Sequence, residues 1–157
     1  MRLNKICSIV LIIGIFVAFT GFEFYRKSEK KVIGIINPAQ IEVDLNGNNI
    51  LDDGEIICVP NLKVFTSDLS QSQTELEKAL KLTHSEAIKL GYLTDIFAEN
   101  NLSGKSVKLQ YIGKTTPSCK YAEIVVDNEL YSKKLKNSGL GFDDKGNFTQ
   151  SYQSQLS

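Results

Sequence analysis

The chain has 157 residues, with 18 basic and 18 acidic side chains, one histidine and a formal net charge of zero. A dedicated nucleic-acid surface is therefore not favoured, because gripping a phosphate backbone takes an excess of clustered Lys and Arg. Setting aside about 30 N-terminal residues leaves roughly 125, enough for one domain with its own hydrophobic core.

The N-terminus opens with Arg2 and Lys5, and Ile6 to Phe22 then runs uncharged and strongly apolar. That run of about 17 residues approaches membrane-crossing length. Arg26, Lys27, Lys30 and Lys31 follow it. The layout fits either a signal peptide or an uncleaved signal anchor. Ala18 and Thr20 before Gly21 make only a weak cleavage site, and the run is long for a cleaved segment. The expectation is one transmembrane helix with its linker over residues 1–30. Cys7 precedes the apolar run and so does not mark a lipoprotein. Counting Lys and Arg on each side of the run would put the following domain in the cytoplasm. The export-signal layout argues for the outside, and the extracytoplasmic side is the expectation.

Short β-branched runs come next. Val32–Ile36, Ile41–Asp44, Glu55–Val59 and Leu62–Phe65 read as strands, interrupted by Pro38 and Pro60. Between the second and third lies the most informative stretch of the chain, residues 44–55. Oxygen-bearing side chains fall at its first, third, fifth, ninth and twelfth positions: Asp44, Asn46, Asn48, Asp52 and Glu55. That spacing lets a short loop wrap a hard cation such as Ca²⁺. Ile50, at position seven, offers its backbone carbonyl. Leu51, at position eight, is expected to pin the loop to a core. Position six, where the chain turns with φ > 0, is Asn49 rather than Gly, and Asn tolerates that region best among the other residues. The alternative is an ordinary polar turn at a hairpin tip. With strands on both sides, no flanking helices exist to open as a switch. The expected cofactor is one structural Ca²⁺. Two Asn ligands keep the site's charge low, which suits the calcium concentrations outside a cell.

Cys58 and Cys119 are the two cysteines outside the N-terminal segment. In an exported domain they form a disulfide candidate, and the alternative is two separate buried thiols.

The second half changes period. Gln73–Leu82 reads as a short helix with Leu76, Ala79 and Leu80 on one face. A longer helix begins near Ser85, capped by Thr83 or Ser85, with Ala87, Ile88, Gly91, Tyr92, Ile96 and Phe97 at three- and four-residue intervals. Lys105–Ile112 alternates as a strand, residues 113–118 form a loop, and Tyr121–Val126 is another strand. Asp127-Asn128 is a tight turn, Glu129–Ser138 a helix stopped by Gly139, and residues 142–157 a loosely ordered polar tail.

Residues 85–141 resemble the staphylococcal-nuclease-like, or thermonuclease-like, family. The resemblance rests on Ser85 to Ala87 at the helix start and on the stretches 102–109 and 121–140, with Asp127-Asn128, Leu135 and Gly139 to Gly141 at the family's turn, central helix Leu and closing motif. Ahead of Ser85 only the strand order agrees. The resemblance implies an α+β fold, an OB-type five-stranded β-barrel with packed helices, over residues 31–141. It also sets a test of activity. Family nucleases hold Ca²⁺ with acidic residues, activate water with a carboxylate and stabilise the transition state with two arginines. The first metal-binding Asp falls at Ala39. The second motif has two placements. One puts its Arg at Asn61 and its acids at Thr66 and Leu69; the other puts the Arg at Cys58 and the acids at Lys63 and Thr66. The last Arg falls at Cys119. No arginine follows Arg26 anywhere. The resemblance thus implies a degenerate nuclease, a binding or structural module with an unknown partner. The competing class is a divergent Ca²⁺-dependent nuclease using Asp44, Asp52 and Glu55.

The remaining candidates read as surface or core. His84 lacks a second ligand nearby in sequence. Lys133, Lys134 and Lys136 look like a solvated helix face. Tyr111, Tyr121 and Tyr131 could stack bases, but strand tyrosines more often pack.

Overall fold

Alternating β-branched residues make the first part of the domain a strand meander. The structure is a computed structural model and describes residues 29–68 and 71–143. Strand β1 (Lys30–Asn37) turns back into β2 (Gln40–Asp44), pairing Lys31 with Asp44 and Ile35 with Ile41. β2 pairs antiparallel with β3 (Ile56–Cys58), setting Gln40 opposite Cys58 and Glu42 opposite Ile56. After β4 (Lys63–Val64) come two helices, α1 (Gln71–Leu80) and α2 (His84–Leu102). Strands β5 (Ser106–Thr115) and β6 (Lys120–Val126) form a hairpin.

Two further pairings close the sheet. β5 joins β1 through Lys30–Val107 and Lys31–Ser106, and β6 runs parallel to β3 through Ile57–Lys120 and Cys58–Tyr121. The result is a mixed α+β domain whose mostly antiparallel sheet of five strands, β1, β2, β3, β6 and β5, closes into a ring. Inward-pointing residues alternate along β2 and β6, as strand geometry requires. Val32, Ile41, Val43, Ile57, Val107, Ala122, Ile124 and Val126 fill the interior.

α2 covers the ring against β1. Its start is a reciprocal capping box between Thr83 and Glu86, which satisfies N–H groups that the helix itself leaves bare. Its buried face is Ala87, Leu90, Gly91, Thr94, Ala98 and Leu102. Tyr92 and Ile96, expected on the core side, are 58% and 56% exposed. Gly91 explains the rotation, since a side chain there would run into the backbone of Thr66 and Ser67. The helix rests on this close approach, which turns Tyr92 outward. On α1, Leu76 and Leu80 are buried but Ala79 is exposed.

Three segments depart from the sequence expectation. The β5 strand continues to Thr115 instead of ending at Ile112. The turn after β6 has φ 53° at Asp127 and 63° at Asn128, the geometry of a two-residue hairpin turn. It returns Glu129–Leu130 as strand β7 on β6, so the last helix, α3, begins at Tyr131 and ends at Asn137. Helical composition at Glu129 yields to the pairing this turn enforces. Gly139, at φ 76°, ends the helix, with Leu140 N–H donating to the Leu135 carbonyl. Finally, Gly141–Phe142 forms strand β8, paired with β4. Phe142 is 2% exposed and stacks edge-on to Phe65. The domain therefore includes Phe142, which the sequence placed in the tail.

Among the described residues no helix is long and apolar enough to cross a membrane. The expected anchor, residues 6–22, and the rest of the tail, residues 144–157, lie outside the described residues.

Candidate metal centre

The β2–β3 hairpin sets the base of the 44–55 loop. The Val43 N–H donates to the Glu55 carbonyl at 3.0 Å, one step beyond the ladder. Asp44 and Glu55 consequently flank the base, each only 4% exposed. A buried carboxylate is costly unless its oxygens are satisfied, and here backbone N–H groups do this. Asp44 Oδ1 accepts from Gly47 at 2.6 Å and Asn48 at 3.2 Å, and its Oδ2 accepts from Asn49 at 2.9 Å. Glu55 Oε1 accepts from Leu45 at 2.8 Å and Asn46 at 3.2 Å, and its Oε2 from Asp52 at 3.0 Å.

The exposed part of the loop is wound by its own side chains. Asn46 Oδ1 accepts from the Asn48 N–H at 2.9 Å, and Asn48 Oδ1 from the Ile50 N–H at 2.8 Å. The side-chain amides of Asn46 and Asn48 both donate to Asp52 Oδ2 at 2.7 Å. Asn49 sits at φ 59°, the left-handed turn expected at position six. Of the six sequence-predicted ligands, Asn46, Asn48 and Asp52 thus meet directly. Asp44 and Glu55 share the base, and Ile50 lies at the apex with its N–H tied inward.

Burial alone would raise the Asp44 pKa. The N–H donors of Asn49, Gly47 and Asn48, with the nearby Lys30 charge, outweigh it and hold the carboxyl below its ordinary value. Lys30 Nζ reaches the Leu45 carbonyl at 2.7 Å and Lys31 Nζ reaches Asn49 Oδ1 at 3.1 Å. Sequence reading took these lysines only as charges flanking the apolar run. The β1–β2 register, which pairs Lys31 with Asp44, is what brings them to the loop.

Does this donor set suit a cation? Among the described residues no three His, Cys, Asp or Glu side chains gather into a ready metal cluster. Asp44, Asp52 and Glu55 instead face N–H donors, and none of them is in an ion pair among the described residues. All the candidate donors are oxygens, which is the chemistry of a hard divalent ion. The donor types and their order around the loop fit such an ion, which would be held by Asp44, Asn46, Asn48, Asp52, Glu55 and the Ile50 carbonyl.

One expectation fails. Leu51 does not pin the loop to the core; it is 43% exposed, and Ile50 is 63% exposed. Position eight lies on the hairpin tip, beside Ile56 and Pro117 at the surface rather than in the core. An open cleft beside the loop is lined by Leu51, Asp52, Ile56, Pro117 and Ser118.

Cys58 and Cys119 are joined by a disulfide, with Cα atoms 5.8 Å apart. The bond ties the end of β3 to the residue before β6, at the seam where the ring closes. Both residues are buried.

The other candidates fall on the surface or in the core. His84 is exposed and lies 3.1 Å from Glu77. Lys134 pairs with Asp127 at 3.5 Å and Lys136 donates to the Asn61 carbonyl, so these two are tied to neighbouring segments, and Lys133 is exposed. Tyr131 is fully buried, its hydroxyl without a hydrogen-bond partner among the described residues and its pKa pushed up by burial and by Asp95. Tyr121 carries Lys114 4.7 Å over its ring, and Tyr111 is exposed. Comparison of the chain with family models finds no match, and comparison with curated proteins finds no similar sequence.

Proposed function

We propose that this chain is a membrane-anchored, extracytoplasmic calcium-binding domain on a catalytically degenerate nuclease-like barrel, acting as a binding or structural module. The observation that carries the calcium reading is the pair of carboxylates, Asp44 and Glu55. Both are buried at the base of one loop, and among the described residues neither is in an ion pair, with only the Lys30 charge acting on Asp44 from nearby. A bound Ca²⁺ would supply the missing positive charge and hold the hairpin in one conformation. Nothing in that role requires chemistry on a substrate.

The OB-type, nuclease-like reading draws support from the closed five-strand ring, with helices between its third and fourth strands. Three of the positions that the resemblance assigns to catalytic groups, Ala39, Cys58 and Cys119, also lie near one another. The Val59 N–H donates to the Ala39 carbonyl, Gln40 pairs with Cys58, and Cys58 is bonded to Cys119. This proximity favours the placement with the second motif's Arg at Cys58. Where that alignment puts a metal-binding acid and two arginines, this chain has a methyl group and a disulfide. Losing even one electrostatic stabiliser of this kind costs a nuclease on the order of 3 kcal/mol in its transition state.

Two measurements test the reading. Thermal melts in Ca²⁺ and in chelator should differ, because a ligand that binds only the folded state stabilises it by mass action. Incubation with DNA and RNA in Ca²⁺ should give no turnover. Cleavage that disappears in a Glu55→Ala variant would replace the module reading with the enzyme reading.

A further inference from the structure

Two adjacent apolar side chains, Ile50 and Leu51, face solvent at the apex of an otherwise polar loop, 63% and 43% exposed. Single exposed apolar residues are ordinary, but here two adjacent ones share one projecting tip. Its position in the fold says what it meets. Lys30 and Lys31, the first residues of β1, hold the loop through Leu45 and Asn49. The chain reaches β1 from the apolar run 6–22 through residues 23–29 alone. Seven residues span at most about 25 Å. A domain of this size has a radius of gyration of about 13 Å, so it is wider than the tether is long. The end that carries Lys30, Lys31 and the loop is therefore held closest to the bilayer.

Charge supplies a condition. Asp44, Asp52, Asp53 and Glu55 outnumber Lys30, Lys31 and Lys120, whose ammonium lies beside Gly54, so the calcium-free loop repels an anionic surface. One divalent cation reverses that excess.

We propose that the loop is a calcium-dependent membrane-docking element. With the cation bound, Ile50 and Leu51 enter the interface of a bilayer containing anionic phospholipid. This rests on the calcium and anchoring readings above. Docking would fix the barrel's orientation on its short tether and turn α2 and the cleft beside Pro117 in a defined direction.

The chain contains no tryptophan, so single-tryptophan variants report without background. Full-length Leu51→Trp is placed in nanodiscs of phosphatidylcholine and phosphatidylglycerol with brominated acyl chains. Tyr92→Trp, at an exposed position on α2, serves as the control. In Ca²⁺ the Leu51→Trp emission should shift to shorter wavelength and be quenched, and in chelator it should do neither. The control should stay unquenched in both. Melting of the same variant is followed with and without Ca²⁺. A melting shift without quenching overturns docking and leaves the calcium reading standing. Equal quenching in chelator overturns the calcium dependence. Neither shift nor quenching overturns both.

Discussion

Replacing Cys58 and Cys119 together with alanine removes the one covalent tie across the seam of the ring. The residues are separated by 61 positions, so the bond closes a long loop in the unfolded chain. Chain-entropy bookkeeping for that length gives about 4 kcal/mol of stabilisation at 25 °C. The non-covalent seam is weak by comparison, since β3 meets β6 only at Ile57–Lys120 and Cys58–Tyr121. Most of the loss should therefore appear in the variant without compensation from the ladder. For a domain of roughly 115 residues this corresponds to a fall in Tm of about 15 °C. The assay is urea unfolding of the wild type, oxidised and reduced, beside the Cys58→Ala/Cys119→Ala variant. The reduced wild type and the variant should unfold at similar midpoints, both well below the oxidised protein. Stability that changes by less than about 1 kcal/mol on reduction would refute the reasoning. So would two thiols that alkylate in unreduced, unfolded protein.

Three further outcomes follow from the loop and from α2. Glu55→Gln keeps one oxygen to accept from Leu45 and Asn46 but sets its NH2 against the Asp52 N–H, so the calcium-free fold should lose on the order of 1–3 kcal/mol and the calcium-induced rise in Tm should disappear. For the wild type at a hundredfold excess over Kd that rise corresponds to about 2.7 kcal/mol. Asp44 has a depressed pKa in the folded state. Its contribution is fully present above the ordinary carboxylate range and is lost as pH falls through the lower native value. Asp44→Asn should accordingly flatten the acid limb of a stability-against-pH profile measured in chelator. Gly91→Ala places a methyl group against the Thr66 backbone, and urea midpoints should report a loss of about 1–3 kcal/mol.

Local pattern carried the reading where local physics decides the outcome. The β-branched runs around Pro38 and Pro60 foretold the meander, since alternating burial is written into period two. Of the two caps expected for α2, Thr83 and Ser85, the structure uses Thr83, with Glu86 completing the box. The register of oxygen-bearing side chains in residues 44–55 pointed to a loop that the structure winds on its own Asn and Asp side chains. What escaped was set by partners far away in sequence. Glu129–Leu130 is strand because β6 lies beside it, and Phe142 is core because β4 does. The outward turn of Tyr92 depends on Thr66 passing over Gly91, and no window centred on the helix contains that fact. Leu51 was misread for a related reason: what position eight touches depends on what stands beyond the hairpin tip. The ring itself depends on the parallel β3–β6 pairing, between segments separated by some 60 residues, and period alone cannot reveal it.

The calcium site is the central claim, and direct binding tests it most simply. Equilibrium dialysis of the purified chain against millimolar Ca²⁺ should retain one ion per chain, and Glu55→Gln should retain none under the same conditions. Wild-type protein that holds no calcium above the dialysate at millimolar concentration would contradict the account.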